Sequence, residues 1–209
     1  TCPTNLGVHC CCVQCVLISL IVWYTINHNT RNNQLRLKTL NKLKILFFGL
    51  PGAGKTTLAK DFADLIGGVH VNADEVRKKY EGHDRQNWDF SNAGRIRQAE
   101  RMRLISDGIM QAGKMPVVDF VCPTNETRAV FEPNSFQTFT VFMDTITESE
   151  YADTNALFER PAPNYVDYHV QAWFKDTHEV LVPVVERYMQ KQQNTLIGYI
   201  GRRVDEKSL

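Results

Sequence analysis

At 209 residues the chain can bury one sizeable core and carry a short appendage. Its 24 Lys and Arg stand against 23 Asp and Glu, so the net charge of +1 gives no global attraction to nucleic acid or anionic lipid, and any anion site must be local. With 43% hydrophobic and 22% charged residues, the composition is that of an ordinary soluble globular protein rather than a disordered or fibrous one.

The chain begins with a cysteine cluster. Cys2, Cys10, Cys11, Cys12 and Cys15 precede residue 16, and only Cys122 falls in the body. A secreted disulfide scaffold would spread its cysteines through the fold, so the body reads as a cytoplasmic protein of a reducing compartment. Cys12 and Cys15 form a C-x-x-C, but no second pair follows at metal-ligand spacing, which argues against zinc. The apolar run Val16–Ile26 is shorter than the roughly 20 residues of a spanning helix, and it lacks the basic start and cleavage site of a signal peptide. A lipid-assisted membrane anchor is the alternative to a poorly ordered extension, and the extension is favoured. Thr1 opens the chain and the first methionine is Met102, so residues 1–42 are set apart as a segment, native or not, on which no function rests.

From Leu43 the pattern changes. Lys44–Phe48 is a short apolar run ended by Gly49, as a buried parallel strand would be. Leu58, Ala59, Phe62, Leu65 and Ile66 recur at helical spacing, with Lys60, Asp61 and Asp64 opposite, and Gly67-Gly68 stops that helix. Val69–Val71 predicts a second strand. Ser91 caps a long helix to about Ala112, with Ile96, Ala99, Met102, Ile105 and Ile109 along one stripe. Strands are predicted at Pro116–Val121 and Phe139–Met143, and a weaker one around Tyr165–His169. A helix covers about Asp176–Gln190, where Pro183 implies a kink or a later start. Thr195–Gly201 reads as a last strand, or as the first strand of a second domain cut short. The domain proper is thus residues 43–193, followed by a tail at 194–209. Alternating strands and helices imply a three-layer α/β/α fold around a mostly parallel sheet.

The decisive segment is Gly49-Leu50-Pro51-Gly52-Ala53-Gly54-Lys55-Thr56-Thr57, which fits G-x-x-x-x-G-K-S/T. Glycines let successive backbone N–H groups turn toward phosphate oxygens, and the following helix presents its positive end to the same anion. Lys55 supplies a point charge for the β- and γ-phosphates, and Thr56 a hydroxyl for Mg²⁺. A plain glycine turn is the bland alternative. An apolar strand before the motif and an amphipathic helix after it argue against that.

Ligands of open parallel sheets sit beyond the carboxyl ends of the strands. Those ends carry Asn72 and Asp74, then Asp119, then Asp144. One such carboxylate can take a hydroxyl proton and another can hold Mg²⁺ through water, although a solvated strand end explains each alone equally well. Asp74 stands out because Arg77 follows one helical turn later. The guanine-reading N-K-x-D of translational GTPases is absent, since Asn41-Lys42 precedes the P-loop and lacks the Asp. A small domain with a lid segment near residues 145–163 suits a small-molecule kinase.

Over about Leu43–Val185 these residues resemble the adenylylsulfate (APS) kinases. The P-loop is similar to that family's. Asn72-Ala73-Asp74-Glu75-Val76-Arg77 looks like its D-G-D-N-x-R, Phe90-Ser91 with Arg95 like its F-S-x-x-x-R, and Asp119–Pro123 like the strand ending S-F-I-S-P. Asp144-Thr145 with Asp153–Phe158 looks like D-T-P and the lid's D-P-K-G-L-Y. The resemblance implies ATP and Mg²⁺ as cofactors, Lys55 and Asp74 as catalytic residues, and an acceptor site of Asp74, Arg77, Phe90, Arg95, Asp119, Asn155, Leu157 and Phe158. It implies a small-molecule substrate, no nucleic acid, and leaves a homodimer open. The chain departs from the pattern at Asn72, at Asn155-Ala156 in place of the lid's Lys-Gly, and at Gln98–Arg101 in place of N-I-R-R. Arg97, Arg101 or Arg103 could make up the lost cation, or could form a solvated basic face.

Overall fold

The computed structural model describes residues 43–133 and 138–205. The cysteine cluster, the C-x-x-C and the apolar run at 16–26 lie outside the described residues.

Five parallel strands, β1 (Lys44–Gly49), β2 (Val69–Asn72), β3 (Pro116–Asp119), β4 (Thr138–Met143) and β5 (Tyr168–Val170), form one sheet in the order β2-β3-β1-β4-β5. The helices are α1 (Lys55–Ile66), α2 (Ala73–Glu81), α3 (Asn92–Gln111), α4 (Asn125–Phe131), α5 (Ala152–Leu157) and α6 (Thr177–Asp205). Because side chains alternate along a strand, β1 feeds two cores. Ile45 and Phe47 pack with Leu58 and Phe62 of α1 and with Leu181 and Val185 of α6. Leu46 and Phe48 pack on the other face with Val76 of α2, Met102 of α3 and Phe131 of α4. The three-layer fold is thus the one expected.

Several local expectations need correction. Leu65, expected on the buried stripe of α1, is 50% exposed, and the helix buries Ala63 instead. The buried face of α3 is rotated from the apolar stripe and includes Arg95, Gln98 and Ser106 beside Ala99 and Met102. The helix expected from about Asp176 begins at Thr177, as the spacing implied, and runs on through Pro183, so of the two outcomes offered for the proline the later start does not occur. Phe174 N donates to Thr177 Oγ1 at 2.9 Å, which anchors that start. Thr195–Gly201 is helical backbone within α6, not a strand. Its Leu196, Ile197 and Ile200 also fit helical spacing, and Lys191–Asn194 before them contains no glycine or proline. Among the described residues no helix is long and apolar enough to cross a membrane.

Candidate active site

The P-loop joins β1 to α1 at the centre of the sheet. Gly49 lies directly beside β4: a Cβ there would sit 2.3 Å from the Met143 carbonyl oxygen, and its φ of 146° also suits only glycine. Gly54 takes a left-handed conformation (φ 83°) as the N-cap of α1 and carries no capping side chain, so the helix's first N–H groups stay directed at an incoming anion. Thr145 Oγ1, just past β4, donates to Ala53 O at 2.9 Å and ties the loop down from the other side.

Lys55 is buried, and its ammonium donates to Leu50 O at 2.7 Å across the loop. Burial pulls its pKa down to about 8, against the opposing pull of the Asp119 and Asp74 carboxylates. Asp119 ends β3 with its carboxylate fully partnered. Oδ2 accepts from Thr56 Oγ1 (2.6 Å) and Asn72 Nδ2 (2.9 Å), and Oδ1 meets His70 Nε2 at 2.6 Å. The pairing of Asn72 with Asp119 in the β2–β3 register places these groups side by side. A threonine hydroxyl and a carboxylate oxygen in contact at a P-loop are the hard oxygen donors that suit Mg²⁺ bound to a nucleotide triphosphate.

Beyond this cluster opens a cavity of about 450 Å³. Pro51, Gly52, Lys55, Thr56, Asp74, Arg77, Phe90, Arg95 and Asp119 all line it, so nine sequence-predicted residues converge. Asp74 stands exposed in the first turn of α2, and its carboxylate accepts no hydrogen bond from the described residues. Arg77 donates to Glu81 Oε2 (3.1 Å) and to Asp89 O (3.0 Å), and its guanidinium lies 4.8 Å from the Phe90 ring. Arg95 donates to Phe90 O (2.9 Å), Thr154 Oγ1 (3.1 Å) and Asp153 Oδ2 (3.3 Å), pinning α5 to the cavity wall. The Cys122 thiol also borders the cavity, but full burial pushes its pKa up to about 12 and leaves it no nucleophile.

Three predicted residues lie elsewhere. Asn155 closes its own loop, accepting from Ser149 N and Oγ (3.0 and 2.6 Å) and donating to Ser149 O (2.8 Å). Phe158 stacks on Phe142 in the core, and Leu157 ends α5 away from the cavity lining. Asp144, the third strand-end carboxylate, is paired with Arg160 and with His169 (2.8 Å). The arginines offered as replacements for a lid cation are engaged off the cavity, Arg97 with Asp89, Arg101 with Glu81 and Arg103 with Asp107.

Sequence reasoning missed His70, Arg85, Gln98 and Tyr151. His70 had a readable cue, since period-two alternation puts it on the strand face of Asn72. Gln98 follows Arg95 by one helical turn and bonds Ala73 O at 3.0 Å, tying α3 to α2. Arg85 and Tyr151 sit in irregular segments with no periodicity to read.

A family model described as an AAA domain matches residues 45–133. Among solved structures, the Mycobacterium tuberculosis APS kinase CysC in complex with AMPPNP and APS matches with a TM-score of 0.58 and 16% identity, over 69% of this chain and 97% of that one. The fold is P-loop kinase-like. An unliganded sugar kinase from Janibacter sp. (TM-score 0.53, 16% identity, 71% of this chain and 95% of that one) and the shikimate kinase of Aquifex aeolicus (0.50, 15%, 69% and 96%) share it. No curated protein matches the sequence. At such identities the P-loop kinase likeness speaks for architecture, and the chemistry has to be argued from the side chains.

Proposed function

We propose that the protein is an ATP- and Mg²⁺-dependent kinase that phosphorylates the 3′-hydroxyl of adenylylsulfate, giving 3′-phosphoadenylylsulfate and ADP. One observation carries this reading: an unbonded carboxylate, Asp74, faces the same cavity as the P-loop residues Lys55 and Thr56 and the Phe90–Arg77–Arg95 wall. The backbone cradle and Lys55 hold the phosphates. Thr56 and Asp119 hold Mg²⁺, which neutralises charge on the transferring group when bound. Asp74 orients the acceptor hydroxyl and takes its proton, and the bond forms from that oxygen to the γ-phosphorus as the bond to the β-γ bridging oxygen breaks. Phe90 offers an aromatic surface to the acceptor's base. That a structure of this fold holds AMPPNP and APS together supports a cavity shared by donor and acceptor.

The test is ADP release in a coupled assay. Release should require adenylylsulfate, and no stimulation over buffer rejects that acceptor. Asp74→Asn should lower kcat by about 100- to 10,000-fold while the affinity for ADP holds.

A second reading, a kinase for a nucleoside, a polynucleotide 5′-end or a sugar, is favoured by Asn155, which turns to Ser149 and adds no cation to the cavity. A panel of these acceptors with labelled ATP separates the two. ATP binding with no phosphorylated product from any acceptor would leave a nucleotide-binding module.

A further inference from the structure

We propose that Arg85 selects the acceptor by gripping an oxyanion that the acceptor carries apart from its reacting hydroxyl. The inference rests on the kinase reading and adds to it the residue that recognises the acceptor's anion.

Arg85 opens a single 3-10 turn, Arg85–Asn87, that Asp84 caps by accepting from Gln86 N (3.0 Å) and Asn87 Nδ2 (3.2 Å). Its guanidinium lies 5.2 Å from the ring centre of Tyr151, 5.7 Å from that of Trp88 and 5.9 Å from that of Phe90. Three guanidiniums therefore face the acceptor half of the cavity, but they are not equivalent. Arg77 and Arg95 are buried and spend their N–H groups on Glu81, Asp153, Thr154 and two backbone carbonyls. The Arg85 guanidinium makes no hydrogen bond or ion pair with the described residues, and only the backbone carbonyl of Arg85 is engaged, accepting from Trp88 N at 3.2 Å. Ring faces attract the cation without consuming its donors, so the N–H groups of this exposed side chain remain available while three rings flank its guanidinium.

A planar fork matches two oxygens of a sulfate, phosphate or carboxylate, and a neutral polyol would leave it unmatched. Position makes the anion part of the acceptor. Arg85 and Asp74 both border the 450 Å³ cavity and an adjoining one of about 490 Å³, and both act electrostatically on the Tyr151 phenol. A hydroxyl at Asp74 and an anion at Arg85 can thus belong to one small molecule.

The full chain, saturated with ADP and Mg²⁺, is titrated with adenylylsulfate, inorganic phosphate and adenosine, the last lacking an anion. Arg85→Ala should weaken adenylylsulfate by about 10- to 100-fold and leave adenosine unchanged. Arg85→Lys should recover part of the loss, since it keeps the charge without the fork. In turnover, the acceptor KM should rise while the ATP KM holds. Equal loss for adenylylsulfate and adenosine overturns the assignment, and so does a wild type that binds neither adenylylsulfate nor phosphate better than Arg85→Ala does. If Arg85 governs adenylylsulfate affinity yet no ADP is released, the oxyanion site stands and adenylylsulfate falls as the acceptor. If wild type and Arg85→Ala release ADP at the same acceptor KM, the kinase reading stands and the role of Arg85 falls.

Discussion

Lys55 is pulled two ways: burial favours its neutral form, and two carboxylates favour the cation. With a pKa near 8, lowered from the ordinary lysine value, the ammonium is present at neutral pH and lost as the pH climbs through 8. Nucleotide affinity measured by calorimetry should therefore weaken between pH 7 and 9. Lys55→Arg, which keeps its proton throughout, should flatten that dependence. An affinity independent of pH in the wild type would refute either the lowered pKa or the ammonium's part in phosphate binding, and Lys55→Ala, which weakens binding only in the first case, tells the two apart. Lys55 and Thr56 were legible because a fixed motif names them, and Asp74 because it follows a short strand by two residues. The grip of His70 on Asp119 joins two strands far apart in sequence, so alternation marks the face of His70 but only the register supplies its partner.

At the scale of elements, the close approach of β1 to β4 makes Gly49 a test position. Gly49→Ala would drive a methyl group against the Met143 carbonyl at a backbone angle that side chains avoid. It should cost at least about 2 kcal/mol, read as a lower midpoint in urea unfolding. An unchanged midpoint would show that the loop shifts freely, at odds with its tie through Thr145. The four longer strands and α1 and α3 could be read from apolar runs, glycine stops and the Ser91 cap, which accepts from Gly94 N at 3.1 Å. The six-residue α5 could not. It has no stripe of its own, and it is fixed by Arg95 reaching over from α3. The face of α3 was misjudged for the same reason: its buried Arg95 and Gln98 are satisfied by α2, α5 and the loop at Phe90, none of which a helical period can show.

The whole molecule carries a half-buried acidic group remote from the cavity. Glu132, after α4, lies among Tyr165, Asp167 and Lys44, and desolvation raises its carboxyl pKa to about 7. The folded state then holds a proton that the unfolded chain releases above the ordinary glutamate range, so the associated stability is full at low pH and fades as pH rises through about 7. Thermal melts should show Glu132→Gln gaining on the wild type between pH 5 and 8, and parallel melting curves over that range would refute the point. Three layers and a parallel sheet were readable from alternation of elements. The order β2-β3-β1-β4-β5 was not, because it depends on which strands the crossovers bring together. That order has a further consequence during synthesis. β1, the first strand of the described domain, is flanked by β3 and β4, which are translated much later. A nascent chain halted before residue 138 would hold out an unpaired, greasy strand edge, and the interval before β4 leaves the ribosome is when chaperones would have most to shield.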